Sequence, residues 1–293
     1  MNYIILDFEW DTVYYKPARR FVNQIIQIGA VKLDDGFRLK GKFEQTVVSG
    51  FCKKVSKRFT ELTGISTADM LNGLPFEQAV QNYNFWAGDD TVTLTWSTSD
   101  LYAIMDNINL FLPEGRKFAI GKYVDLQNYV QNELRTAGND IKNQISLSDA
   151  AKMLGISTDK FDMHTALDDS MVTAKLLEKT YNKDRFRAAL KDVNDPEFYR
   201  RLTFKNYYIQ SADAPEVKKE YLRFKCNKCG ARALQRTKWH CKNHWLSADF
   251  LCDKCGNEFT GRVLLKMTYS GLRVARRVLN KSDEAKADVA NDL

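Results

Sequence analysis

Residues 2–8, NYIILDF, form an apolar run of strand length, and two carboxylates, Asp7 and Glu9, sit two apart at its end. Side chains two apart on a strand project from the same face, so both acids can reach one cation. Two carboxylates held together repel each other, which raises a pKa and destabilises the site. A hard divalent cation such as Mg²⁺ removes that conflict. An exposed pair of acids at a strand end would look the same in isolation, so the reading turns on what surrounds it.

Working outward, residues 25–33 (IIQIGAVKL) read as a second strand. Residues 37–48 read as a third, after an Asp34-Asp35-Gly36 turn, so the chain opens with an antiparallel meander. Residues 75–88 read as a helix with Pro75 in its first turn, where proline is tolerated. Residues 91–96 (TVTLTW) are β-branched and suit a buried strand. Leu101, Ile104, Met105, Ile108 and Leu112 give 100–112 a helical spacing. A fifth strand is expected at 116–120, and helices at 125–135, 147–154 and 164–180. Strands followed by alternating strands and helices imply an α/β domain over 1–181, a mixed five-stranded sheet flanked by helices. A helical linker (182–217, broken near Ser211–Pro215), a cysteine-bearing module (218–281) and a disordered polar tail (282–293) follow. A chain of 293 residues has room for two domains.

Three later features bear on Asp7 and Glu9. Asp100 follows the strand at 91–96 and opens a helix, where strand-end carboxylates face a sheet crevice; a helix N-cap through Ser99 or Asp100 is the alternative. His164 and Asp169, in HTALDD, stand at the junction into the domain's last helix, and His164 is the only histidine before residue 240.

Together these residues resemble the DEDD exonuclease superfamily, histidine subclass. LDFEW matches its first motif, TWSTSD its second and HTALDD its third, where the family spacing of histidine plus five selects Asp169 rather than Asp168. IIQIGAVKL resembles the family's second strand, and ELTGIS (Glu61–Ser66) the loop that packs against the terminal nucleotide. The resemblance implies a ribonuclease H-like fold and metal-dependent 3′→5′ hydrolysis of single-stranded nucleic acid, RNA slightly favoured over DNA. It implies two Mg²⁺ or Mn²⁺ ions held by Asp7, Glu9, Asp100 and Asp169. His164, with an ordinary pKa of about 6.5, would be the general base. It places substrate contacts at Leu62, Thr63, Gly64, Ile65 and the backbone of Phe8. Ser97 stands where relatives commonly have glycine, and Gln27 where they often have glutamate. Asp125 resembles a recurrent family position, or caps a helix. A non-catalytic nucleic-acid-binding protein of the same fold is the rival reading.

Five of six cysteines fall within 30 residues, and Cys226-x-x-Cys229-Gly and Cys252-x-x-Cys255-Gly form two knuckles 22 residues apart. In a chain without an export signal that pattern reads as a structural four-thiolate Zn²⁺ site in a zinc-ribbon-like domain. His240, Cys241 and His244 lie between the knuckles as further ligands or as exposed hairpin residues; Cys52 has no evident partner. Residues 1–180 carry 20 Lys+Arg against 23 Asp+Glu, whereas 181–293 carry 24 against 14. Residues 218–281 hold 16 cations and four acids interleaved with Tyr221, Phe224, Trp239, Trp245, Phe250, Phe259 and Tyr269. That composition suits nucleic acid, with docking of a protein partner through the ribbon as the second possibility. Arg273, Arg276 and Arg277 are expected on one helical face. No run approaches the roughly 18–20 apolar residues of a membrane span, and the N-terminus has no signal-peptide pattern. A cytoplasmic location is therefore expected.

Overall fold

The computed structural model describes residues 1–114 and 117–280. The chain divides into two compact units, Met1–Phe198 and Tyr199–Leu293; the tail expected at 282–293 lies outside the described residues.

The first unit opens with β1 (Asn2–Tyr15), β2 (Arg20–Leu33) and β3 (Leu39–Thr46), an antiparallel meander. Two short helices follow, α1 (Lys57–Thr63) and α2 (Thr67–Leu71), then α3 (Phe76–Ala87), β4 (Thr91–Thr95) and α4 (Ser99–Phe111). The remainder is β5 (Lys122–Asp125), α5 (Leu126–Thr136), α6 (Leu147–Met153), α7 (Ala166–Thr180), α8 (Lys183–Ala189) and β6 (Lys191–Asp192). The strands lie in the order β3-β2-β1-β4-β5-β6. β4 pairs in parallel with β1 and β5, giving a mixed sheet of the ribonuclease H-like kind to which β6 adds a two-residue edge.

Alternation along β1 sets the layers. Tyr3 and Ile5 face a core completed by α5, α6 and α7, whereas Ile4, Leu6 and Phe8 face one completed by α3 and α4. Asp7 and Glu9 continue the Tyr3–Ile5 parity, so the acids emerge where the α7 layer begins.

The strand expected at 116–120 forms instead at Lys122–Asp125. Phe118 leaves the sheet to stack on Tyr83 at 4.2 Å. Asn84 brackets the loop, accepting from the Ala119 N–H and donating to the Lys117 carbonyl, both at 2.8 Å. The first hairpin also runs further than expected, to Tyr15 and back from Arg20, closed by a Tyr14–Phe21 edge contact.

α9 (Pro196–Thr203) spans the division between the units. The second unit is a sheet of β12 (Gly271–Asn280), β11 (Glu258–Thr268), β10 (Trp245–Leu251) and β8 (Leu234–Gln235). β7 (Tyr207–Tyr208) pairs with β11, and β9 (His240–Lys242) with β10. Its core is built on Phe224, Phe250 and Phe259, with Phe250 stacked on Phe259 at 5.6 Å. The expected helical face of Arg273, Arg276 and Arg277 is a strand. Leu272, Val274 and Val278 recur at period two against the core, and Gly271, at φ +110, permits the tight turn from β11. Arg273 and Arg277 therefore share one face of β12, and Arg276 takes the other.

Candidate active site

Carboxylate oxygens of Asp7, Glu9 and Asp169 lie within 4.8 Å of one another. β1 delivers the first two and the first turn of α7 the third. The approach of α7 is set by Gly29, which pairs with Asp7 across the β1–β2 ladder. A Cβ at Gly29 would fall 2.2 Å from the Ala166 carbonyl carbon and 2.3 Å from the Leu167 nitrogen, so only glycine lets the helix sit this close. Ser170 donates to the Gly29 carbonyl at 3.2 Å, and the Gln27 side-chain oxygen accepts from the Ala166 N–H at 3.3 Å. Gln27 thus ties β2 to the start of α7 while its amide nitrogen donates to Glu44 at 3.1 Å. Gly29→Ala is expected to cost about 1–3 kcal/mol through this overlap and to lower turnover roughly 100-fold by displacing Asp169. Chemical denaturation and single-turnover rates check this, and normal activity would show that the α7 seat does not set the cluster.

Asp100 stands behind the trio in the first turn of α4 and is 3% exposed. Thr98, not Ser99 or Asp100, holds the N-cap position. The Asp100 Oδ1 is buried without a hydrogen-bond partner, and the nearby backbone N–H groups of Phe8 and of Asp100 itself only partly offset the upward effect of burial on its pKa. Ser97 shapes this turn: its Oγ accepts from the Ser99 N–H at 3.1 Å, and its carbonyl accepts from the Tyr123 hydroxyl at 3.2 Å. Asp125 caps α5, accepting from the Asn128 N–H at 3.0 Å, and adds to the negative field around Asp100.

Burial and mutual repulsion push the group's pKa values upward. Burial raises Asp7 well above the carboxylate range, with Asp100, Glu9 and Asp169 adding to the effect. Glu9 is pushed up to about 8 by burial and by the charges of Asp169 and Asp100. Asp100 is pushed up to about 7, chiefly by burial, and Asp169 is raised for the same reason. An all-oxygen donor set, short of positive charge and with a buried oxygen left unpaired, fits hard divalent cations.

Asp169 rather than Asp168 joins the cluster; Asp168 accepts instead from the Asp162 N–H at 2.8 Å. His164 precedes α7, exposed, at φ +78, its backbone N–H making a long 3.5 Å contact to Asp169 Oδ1. A left-handed non-glycine residue carries about 1–3 kcal/mol of strain, of the kind that gathers at functional sites.

The Glu61–Ser66 segment is a helix end, a turn and a helix start. Gly64, at φ +73, closes α1, and Ser66 caps α2. A β-bulge between Glu9 and Trp10 leaves Ile26 outside the β1–β2 pairing, and Ile26 packs with Val55, Phe59, Ile65 and Met70. Asp11, one turn of the pleat beyond Glu9, accepts from Ser56 N and Oγ at 2.6 and 2.8 Å, fastening the N-terminus of α1. Sequence reasoning missed both devices, although Asp11 extends the Asp7–Glu9 alternation and offered a signal. Ile65 is buried, and Thr63 is buried with its hydroxyl bonded to the Phe59 carbonyl at 2.9 Å, leaving Leu62 and Gly64 open to solvent. The Phe8 ring lies in the core against Phe118.

In the second unit Cys226, Cys229, Cys252 and Cys255 converge. Their Sγ separations are 3.6 Å (Cys226–Cys255) and 3.4 Å (Cys229–Cys252). Thiolates at about 2.3 Å around one tetrahedral zinc lie about 3.8 Å apart, so the set fits that ion. Gly230 and Gly256, both at positive φ, turn the two knuckles. The Asn257 amide supports Cys226 Sγ from 3.5 Å. His240, Cys241 and His244 form no converging group, and His244 stacks on Tyr208 at 4.3 Å. Among the described residues no helix is long and apolar enough to cross a membrane.

A mixed sheet whose first strand and last long helix bring acids together, with a cysteine cluster in a separate β unit, defines a DEDD-type nuclease fold carrying a zinc-ribbon-like module. Residues 4–177 match the family described as Exonuclease (RNase_T), and the chain belongs to that family. It is accordingly a phosphodiester hydrolase of the exonuclease class. No curated protein matches the chain in sequence. Among solved structures, it is similar to the nuclease domain of 3′hExo, a DEDDh family member bound to rAMP (22% identity, 61% of this chain, 90% of that one, TM-score 0.53). It is also similar to cell-death related nuclease 4 (19%, 61% and 62%, TM-score 0.53). A third is a 3′-exonuclease recognising a histone mRNA stem-loop (19%, 65% and 84%, TM-score 0.52).

Proposed function

We propose that the protein is a metal-dependent 3′→5′ exonuclease that shortens single-stranded nucleic acid, with RNA favoured over DNA. The observation that carries this reading is the convergence of Asp7, Glu9 and Asp169, backed by Asp100 with an unpartnered buried oxygen. These four acids would hold two Mg²⁺ or Mn²⁺ ions, which supply an acidified water and stabilise the leaving oxygen. His164, exposed at the mouth of the cluster, takes the proton of the attacking water on an imidazole nitrogen. Leu62 and the bare Gly64 offer an apolar, unobstructed surface to the terminal sugar, and the buried Thr63 and Ile65 hold that surface in place. The backbone of Phe8, next to Asp7 and Glu9, would contact the terminal nucleotide. RNA is favoured because two similar structures carry rAMP and a histone mRNA stem-loop. The four cysteines would hold one structural Zn²⁺.

The test is a time course on matched 5′-labelled RNA and DNA oligonucleotides with Mg²⁺, Mn²⁺ or chelator. Metal-dependent shortening from the 3′ end, faster on RNA, is expected; an inert protein with both metals present would overturn the reading in favour of a binding protein. In the same assay His164→Gly relieves the left-handed backbone while removing the imidazole. Turnover should fall about 10²–10⁴-fold with no loss of stability, and undiminished turnover would remove His164 from the base role.

A further inference from the structure

We propose that the cleft between the first cysteine knuckle and the edge strand β12 is a track for the phosphodiester backbone of single-stranded nucleic acid. This rests on the nuclease reading but uses residues of the second unit alone.

The cleft measures ≈ 530 Å³ and is lined by Arg223, Phe224, Lys225, Arg232, Arg276, Arg277 and Val278. Five of the seven are cationic and none is acidic. Among the described residues none of the five is in an ion pair. Instead, rings hold the guanidinium groups. Arg276 lies over Phe224 at 4.4 Å and Arg277 over Trp245 at 5.0 Å, with Arg262 over the same indole at 5.2 Å. Stacking fixes a guanidinium plane without consuming its N–H fork, which suits it to phosphate oxygens. Arg276 also donates to the Arg223 carbonyl, which ties the knuckle arm to β12.

The charge continues beyond the cleft. On the face that Arg277 shares, Arg262 pairs with Arg277 and Lys266 with Arg273 across the β11–β12 ladder. Like charges directly opposite each other on neighbouring strands destabilise a sheet. Here the arrangement recurs after four residues, about 13 Å along the strand. A polyanion lying along the hairpin relieves both pairs at once, whereas a single bound phosphate relieves one. A docked protein would need apolar anchors. The cleft has only Val278 and a Phe224 that is buried and covered by Arg276.

The experiment uses the full chain with Asp7→Asn to prevent cleavage. It measures anisotropy of a labelled single-stranded oligonucleotide across a salt series. Arg232→Gln with Arg277→Gln should weaken binding about 10-fold and flatten the slope of log affinity against log salt by about 1.4, since each single-strand phosphate contact contributes about 0.7. Zinc content reports whether the module is still folded. Arg232→Lys with Arg277→Lys, which keeps the charge, should restore the slope and serves as the second variant. Unchanged affinity and slope in a zinc-loaded glutamine variant would overturn the proposal. So would loss of binding to a polyglutamate peptide with oligonucleotide binding intact, which would mark a protein-docking cleft. Hydrolysis by the unsubstituted chain is a separate readout: its absence would sink the nuclease reading and leave the binding result standing.

Discussion

Asp7→Asn is expected to abolish turnover and, in metal-free protein, to make the fold more stable at pH 8 than the unsubstituted chain. Losing one acid of the cluster removes metal stabilisation worth several kcal/mol, so activity should fall by about 10³-fold or more. The stability gain has the opposite sign because the acids are strained against each other. Folding raises Glu9 from 4.5 to about 8 and Asp100 from 3.8 to about 7, and raises Asp7 as well. A folded-state pKa above the unfolded value means that the folded form holds protons the unfolded chain has already released. Below about pH 4 both forms are protonated and the penalty vanishes. From there stability falls as pH rises, and the contributions of Asp100 and Glu9 are fully lost once pH passes about 8. Asparagine at position 7 cannot ionise and drops out of this balance. The melting temperature of the metal-free variant should therefore exceed that of the unsubstituted protein by several degrees at pH 8 and match it at pH 4, at about 2–4 °C per kcal/mol for a domain of this size. Added Mg²⁺ or Mn²⁺ should raise the unsubstituted protein's melting temperature at pH 8 and the variant's much less. A variant that melts lower than its parent at pH 8 would show that Asp7 is a structural acid, and one that turns over normally would remove it from the site.

This site was legible in the sequence partly through a local rule and partly through the family's three motifs. Asp7 and Glu9 share a face because strands have period two, whereas Asp169 rather than Asp168 was selected by the family's spacing of histidine plus five. Asp100 was also legible as a strand-end acid, but its burial was not, because it depends on α4 packing against β1 and β2. The bulge at Ile26 and the anchoring of Ser56 by Asp11 depend on pairing register between distant residues, and no local period encodes that. The need for glycine at position 29 arises only from α7 resting against it, a contact that no local pattern encodes. The misplaced strand at 116–120 and the misread helix at Arg273–Arg277 have a common origin. In both, a short stretch satisfied a local pattern while a tertiary partner decided the outcome: Tyr83 for Phe118, and the Phe224–Phe250–Phe259 core for Val274 and Val278. The cysteine knuckles were the easier case, since each C-x-x-C-G turn defines its own geometry and only the pairing of the two had to come from the fold.

That pairing supports the other large effect: withdrawing zinc should unfold the second unit and leave the first intact. The arm carrying Cys226 and Cys229 is attached to the sheet by few elements. These are the Phe224 ring against Gly261, the Arg276 bond to the Arg223 carbonyl, the Asn227 bonds to Asn257 and Asn280, and the thiolate cluster itself. A structural four-thiolate site contributes an apparent binding free energy of about 10–16 kcal/mol near neutral pH, more than the total stability of most small domains. Without the ion, Cys226 Sγ keeps only hydrogen-bond contacts, among them those from the Lys228 N–H at 3.4 Å and the Asn257 amide at 3.5 Å. The core of Phe224, Phe250 and Phe259 then loses the arm that places Phe224 against it. Cys226→Ser with Cys229→Ser, or a strong chelator, should release one zinc per chain and expose the second unit to protease. The product should be a resistant fragment covering the first unit, whose boundary falls after Phe198. The acids of the catalytic cluster all lie within that fragment, on β1, α4 and α7. Hydrolysis of a dinucleotide should therefore persist, while the KM for a long oligonucleotide rises by an order of magnitude or more as the cationic cleft is lost. Equal losses on both substrates would instead mean that the zinc unit takes part in the chemistry, and an unchanged zinc content would mean that the four cysteines are not its ligands.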